Sequence, residues 1–214
     1  MMGKGLRRLS VLLKHVGRRR RVSAGVAGVT DDAAAFPGTA ILTVRGDGGM
    51  DHNICWPLAH NMIRRNDKAN TFGLVRHKAD GSLKPHQGWD LEAPIGTPCF
   101  AISDGRIALV YNSVDYGDVI VLSFPFNGQK LYAAYAHLSA VEVAEGQSVT
   151  RGQRIGLTGD SGNARGMTGK DLHLHFEIRT MPRPGVGLGG RVSPLQVFGQ
   201  IPLAAAIEAA CQDG

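Results

Sequence analysis

The sequence of 214 residues predicts a mainly β protein, an antiparallel sheet core with short flanking helices. Three observations carry that expectation. Six short β-type runs follow one another between residues 99 and 179. Turn formers punctuate them, as in Asp104-Gly105, Asn127-Gly128 and Glu145-Gly146. Glycine is abundant, at 29 residues, which favours turns and short strands over long helices.

Taken in order, residues 1–45 are rich in Arg, Ala and Gly and read as a flexible basic arm and linker. The apolar stretch Leu9–Leu13 stops at Lys14, short of the about 7–15 apolar residues of a secretory signal. Val22–Thr30 is weakly apolar and ends in Asp31-Asp32, so a twin-arginine signal fits poorly as well. Residues 46–200 read as the folded unit. Within it, residues 56–66 predict a short helix. The strands follow as Cys99–Ala101, Arg106–Tyr111, Val119–Phe124, Leu131–Leu138, Arg154–Thr158 and Leu172–Arg179. The tail, 201–214, is alanine-rich between Leu203 and Cys211 and predicts a helix. No apolar run approaches the roughly 20 residues that span a bilayer, so no transmembrane segment is expected.

The net charge of +6 is concentrated at one end. Residues 1–22 hold eight basic side chains (Lys4, Arg7, Arg8, Lys14 and Arg18 to Arg21) and no acidic one. Subtracting those eight from 24 leaves 16 basic against 18 acidic residues. A nucleic-acid enzyme carries its basic patch on the folded domain, so no nucleic-acid partner is expected. The arm suits an anionic polymer or lipid surface. Cys55, Cys99 and Cys211 show no C-x-x-C spacing and read as buried free thiols, with a Cys55–Cys99 disulfide as the alternative in an oxidising compartment.

Three segments can carry chemistry. In Asp171-Leu172-His173-Leu174-His175-Phe176-Glu177-Ile178-Arg179 a strand puts His173, His175 and Glu177 on one face and Leu174, Phe176 and Ile178 on the other. That polar face is either a functional surface or a solvent-facing strand with incidental histidines. In Pro85-His86-Gln87-Gly88-Trp89-Asp90, Pro85 and Gly88 argue for a turn into a strand. His86 and Asp90 there can share an ion or simply a hydrogen bond. In Tyr135-Ala136-His137-Leu138-Ser139 the histidine ends an apolar run, where a structural role is the commoner one. Together the segments change the odds. Two His and one Asp supply three protein ligands and leave a fourth tetrahedral position for water, the open arrangement of a catalytic zinc site. No H-E-x-x-H helix is present.

The order His-x3-Asp, His-Leu-Ser, His-x-His resembles the lysostaphin-like (LytM-type) zinc endopeptidases. The stretch from His86 to Pro98, containing Ala93-Pro94-Ile95-Gly96-Thr97-Pro98, is similar to that family's signature. So are Ala101–Ile107, Val149–Gly156 and Thr158–Gly162, with Trp56-Pro57-Leu58 and Phe72-Gly73 upstream. The resemblance covers roughly residues 56–180. Trp89 is bulkier than the small aliphatic residue expected, and Cys99 stands where an aliphatic one is expected; both read as packing changes.

The resemblance implies one zinc ion per chain held by His86, Asp90 and His175, with His137 and His173 as catalytic histidines. It also implies peptidoglycan peptides as substrate and action in the periplasm or at the cell wall. Beside these residues, Tyr135 is a candidate oxyanion donor or a buried strand tyrosine. Glu177 is a candidate partner of a site histidine or a cross-strand ion-pair residue. The glycines of 159–169 suggest a mobile loop at the site. A substrate outside the cytoplasm and the lack of a clear export signal are reconciled by a contact-dependent secretion machine, with a secretion, adaptor or immunity partner, or by release on lysis. The competing readings are a non-catalytic peptidoglycan-binding relative and a carboxypeptidase or amidase on the same scaffold.

Overall fold

A computed structural model describes residues 54–208; the predicted arm, 1–45, lies outside them. The chain enters through β1 (His60–Asn61) and two 3-10 turns at Arg64–Asn66 and Lys68–Asn70. A hairpin of β2 (Gly73–His77) and β3 (Leu83–His86) leads to β4 (Trp89–Glu92) and β5 (Pro98–Phe100). The long strands β6 (Gly105–Ser113), β7 (Gly117–Phe126) and β8 (Gln129–Val141) come next. They are followed by β9 (Ser148–Val149), β10 (Arg154–Thr158), β11 (His173–Arg179), β12 (Arg191–Val192), the one-turn α1 (Leu195–Phe198) and β13 (Ile207–Glu208).

The main sheet runs β12-β11-β8-β7-β6-β9, with β4 also on β11 and β10 joining β8 to β5. Every pairing in it is antiparallel. The mainly β expectation is therefore met, and all six predicted strands form. Period-two alternation divides the side chains between two faces. Ile120, Leu122, Phe124, Ala133, Tyr135, Leu174, Phe176 and Ile178 join one large buried cluster. Val119, Val121, Ala134 and Ala136 form a smaller one on the opposite face. Trp89 stacks near Trp56 and Phe198, with centroid distances of 6.2 and 5.7 Å, so its bulk is taken up in packing.

Two helix expectations are corrected. Residues 56–66 hold β1 and a 3-10 turn instead of an α-helix. Leu58 and Ile63 are fully buried, Ile63 bridges to Leu91, and its amide donates to Pro202 O. These tertiary partners outcompete local propensity. The tail is also non-helical through residue 208. β13 pairs with β1, Asn61 opposite Ile207, and Asn61 Nδ2 donates to Ile207 O at 3.3 Å, which holds the segment extended. Residues 209–214 lie outside the described part. Cys99 is a free buried thiol, so no Cys55–Cys99 bridge forms; Cys55 is disulfide-bonded, which corrects the free-thiol expectation there. Cys211 lies outside the described residues. Among those residues, no helix is long and apolar enough to cross a membrane.

Candidate metal centre

Strand register builds the site. β11 lies antiparallel to β4 with His175 opposite Asp90. His86 ends β3, and the turn to β4 passes over β11 at Gly88. A Cβ there would sit 2.1 Å from Phe176 O, so only glycine lets the turn lie this close. As a result, one ligand atom each from His86, Asp90 and His175 lies within 4.8 Å of the other two, and all three residues are buried. Asp90 Oδ1 faces His175 Nδ1 at 2.8 Å and His86 Nε2 at 3.1 Å.

The backbone sets the tautomers, because a carbonyl can only accept. His86 Nδ1–H donates to Thr71 O at 2.9 Å, leaving the Nε2 lone pair toward Asp90. His137 Nδ1–H donates to Ser161 O at 2.9 Å, and His173 Nδ1–H to Asp171 O at 2.7 Å. Both therefore keep Nε2 as the acceptor nitrogen. The His137 ring lies 5.1 Å from that of His173 and 5.9 Å from that of His175, and the His86 ring lies 5.2 Å from that of His175, so the four histidines form one cluster.

Electrostatics divide these groups. Burial pushes His86, His137 and His173 below the ordinary histidine value, His137 to about 4. Burial would lower His175 too, but its hydrogen bonds to Asp90 and Glu177 win and raise it to about 9. Asp90 is held well below the carboxylate range, the opposing burial being overcome by His175 and His86.

Glu177 is fully buried beneath His175. Its Oε1 accepts from His175 Nε2 at 3.0 Å and from the Tyr116 hydroxyl at 2.8 Å. Its Oε2 accepts from Arg179 Nε at 2.7 Å and Arg191 Nε at 2.8 Å. The carboxylate thus fixes His175 so that Nδ1 is directed toward Asp90, as partners of ligand histidines do. Tyr135 is not in the site. It faces the core, donates to Phe100 O at 2.9 Å and accepts from Ile102 N at 3.2 Å. The tyrosine at the site is Tyr116, 5.4 Å from the His175 ring, in a turn with no local pattern to mark it. Two arginines also went unread: Arg76 donates to Asp90 Oδ2 at 2.7 Å, and Arg64 lies 3.4 Å from the same oxygen. The segment 159–169 is tied down near its start, through Ser161 and an Asn163 amide bonded to Asp115 O.

His86, Asp90, His137, His173 and His175 line an open pocket of about 470 Å³, together with Arg64, Arg76 and Tyr116. Two imidazole nitrogens and one carboxylate oxygen are the donor set that zinc accepts, and three donors leave room for a water. Fold and donors together define a candidate single-metal hydrolase centre on an antiparallel sheet.

Comparison with known proteins sharpens that class. Residues 84–186 match the profile of peptidase family M23. The peptidoglycan DD-endopeptidase ShyA of Vibrio cholerae is 37% identical over 108 residues, 50% of this chain and 23% of ShyA. The DD-carboxypeptidase/endopeptidase Mpg of Neisseria meningitidis is 34% identical over 128 residues, 60% of this chain and 26% of Mpg. The solved structure of LytU is 30% identical and covers 62% of this chain and 83% of that one, with a TM-score of 0.49. Residues 84–186 are a peptidase M23 domain of the lysostaphin-like kind. The chain's match spans about a quarter of the length of those curated relatives.

Proposed function

We propose that this chain is a zinc-dependent endopeptidase that hydrolyses peptide cross-links or stem peptides of bacterial peptidoglycan, acting in the periplasm or at the cell wall. The observation that carries the proposal is the convergence of His86, Asp90 and His175 within 4.8 Å, beneath the rings of His137 and His173. The names of ShyA and Mpg support the substrate class.

His86 Nε2, Asp90 Oδ1 and His175 Nδ1 would hold the metal. Zinc bound there supplies a water of lowered pKa and a Lewis acid for the peptide carbonyl. His137 and His173 each offer an unprotonated Nε2 to the pocket. Either can take the proton of the attacking water, then donate it to the leaving amine or to the developing oxyanion. Their Nδ1–H bonds to fixed carbonyls hold the rings in orientation through that transfer. Glu177 holds His175.

The test is digestion of purified peptidoglycan followed by mass analysis. Fragments with new amino and carboxyl termini in the peptide are expected. Release of intact stem peptides from the sugar would identify an amidase instead, and loss of one terminal residue a carboxypeptidase. We place the start of the catalytic unit at Gly46, with the basic arm, 1–45, outside it. A chain starting at Gly46 should therefore cleave soluble muropeptides at the full-length rate, and loss of cleavage would move that boundary.

A further inference from the structure

Register across the β2–β3 hairpin sets Arg76 directly opposite Lys84. Like charges facing each other in an antiparallel pair destabilise it, so the arrangement needs an anion to offset it. Arg76 has part of one: its Nη2 donates to Asp90 Oδ2 at 2.7 Å, and its Nε to Ala69 O at 2.8 Å. Lys84 is exposed and has no ion-pair partner among the described residues. Both side chains line the pocket that holds the His/Asp cluster.

The charge balance of that pocket is lopsided. Its lining carries three permanent cations, Arg64, Arg76 and Lys84, against two carboxylates, Asp90 and Asp115. Asp90 is 2% exposed and already shared among His86, His175 and the two arginines. A divalent metal on the cluster would deepen the excess. A neutral peptide leaves it uncompensated, whereas a substrate carboxylate relieves it.

We propose that Arg76 and Lys84 form a carboxylate-binding subsite beside the candidate metal centre, and that the preferred substrate is a peptide with a free carboxylate next to the scissile bond. This inference rests on the hydrolase reading above. Position follows from the contacts. Asp90 turns Oδ1 to the histidines and Oδ2 to Arg76, so Arg76 stands one carboxylate's width from the cluster. A substrate carboxylate that reaches it belongs to the residue whose carbonyl lies over the cluster, or to the neighbour of that residue. Arg76 has Nε bonded to Ala69 O and Nη2 to Asp90 and Asn70, so Nη1 is the donor it offers a substrate carboxylate, and Lys84 supplies a mobile point charge on a long stem.

The test uses the full chain loaded with zinc and two cross-linked stem-peptide dimers. They are identical except that the residues flanking the cross-link carry free carboxylates in one and carboxamides in the other. The kcat/KM for the acid should exceed that for the amide by about tenfold or more, the scale of one charge-assisted hydrogen bond. Lys84→Gln should shrink that ratio about two- to fivefold, the scale of one exposed ion pair, with zinc content unchanged, and Lys84→Arg should restore it. Equal rates on acid and amide overturn the subsite and leave the hydrolase reading standing. A preference untouched by Lys84→Gln overturns the pairing of Lys84 with Arg76. No hydrolysis of either dimer overturns the hydrolase reading and the subsite with it.

Discussion

His137 reaches the same pocket as His175 from a position of the wrong parity in its strand. Ala136 is the register partner of His175 on β8, so alternation would send His137 into the core beside Tyr135. The backbone prevents this. His137 has φ +61°, and the β7–β8 register shifts between Asp118 and Ile120, a bulge that admits one extra residue. Leu138 takes the core position instead, fully buried.

Such a left-handed residue without a glycine's freedom stores strain at the site. His137→Gly and His137→Ala both remove the imidazole, and only glycine relieves the backbone. The Gly variant should be the more stable of the two by about 0.5–1 kcal/mol in urea unfolding. Both should lose peptidoglycan hydrolysis by at least about 100-fold. An alanine variant as stable as the glycine one would mean that the bulge is unstrained.

Ligands and proton-transfer groups should separate by metal content. His175→Ala is expected to lose zinc and activity together. His173→Ala should keep most of its zinc and lose activity by about 100-fold or more. Elemental analysis beside a turnover assay decides this; a metal-free His173→Ala protein would reverse the roles on β11.

Glu177 couples the candidate metal centre to stability. Replacing it with Ala strands two buried guanidiniums, Arg179 and Arg191, which are 1% and 3% exposed. The cost should be about 3–5 kcal/mol. Glu177→Gln retains an acceptor for His175 and should fold, with zinc affinity about 10–100-fold weaker in a chelator competition. Unfolding of the Ala variant within 1 kcal/mol of the parent would show that the network contributes little.

The depressed histidines predict an acid-sensitive fold after chelation of metal. His137 titrates near 6.5 when unfolded and at about 4 when folded. Between those values the unfolded chain binds more protons, so stability falls as pH drops through that window. At pH 5 the loss from His137 alone is about 2 kcal/mol relative to pH 7. His86 and His173 shift in the same direction and add to it. The raised His175 acts at the other end: its contribution is complete below 6.5 and is lost as pH rises through about 9. Chemical denaturation of chelated protein at pH 7 and pH 5 checks the sign. Equal or greater stability at pH 5 contradicts it.

Much of this was legible in the sequence because its signals are local. Alternation in 171–179 predicts the shared face of His173, His175 and Glu177, and Gly88 marks the turn that brings His86 beside Asp90. What was missed depends on distant partners. Tyr116 and Arg76 owe their places to Glu177 and Asp90, 61 and 14 residues away in sequence. Tyr135 was ambiguous because strand parity alone does not say which face meets the core. The two failed helices, 56–66 and the tail, pair with each other through β1 and β13, a contact no local propensity encodes.

A zinc titration tests the central claim most directly. Protein stripped by chelation and dialysed is returned to zinc in steps, with bound metal and peptidoglycan hydrolysis followed in parallel. Activity should be absent at the start, rise in proportion to bound zinc, and stop rising at one ion per chain. Full hydrolysis by protein shown to be metal-free would contradict the assignment of His86, Asp90 and His175 as the metal centre.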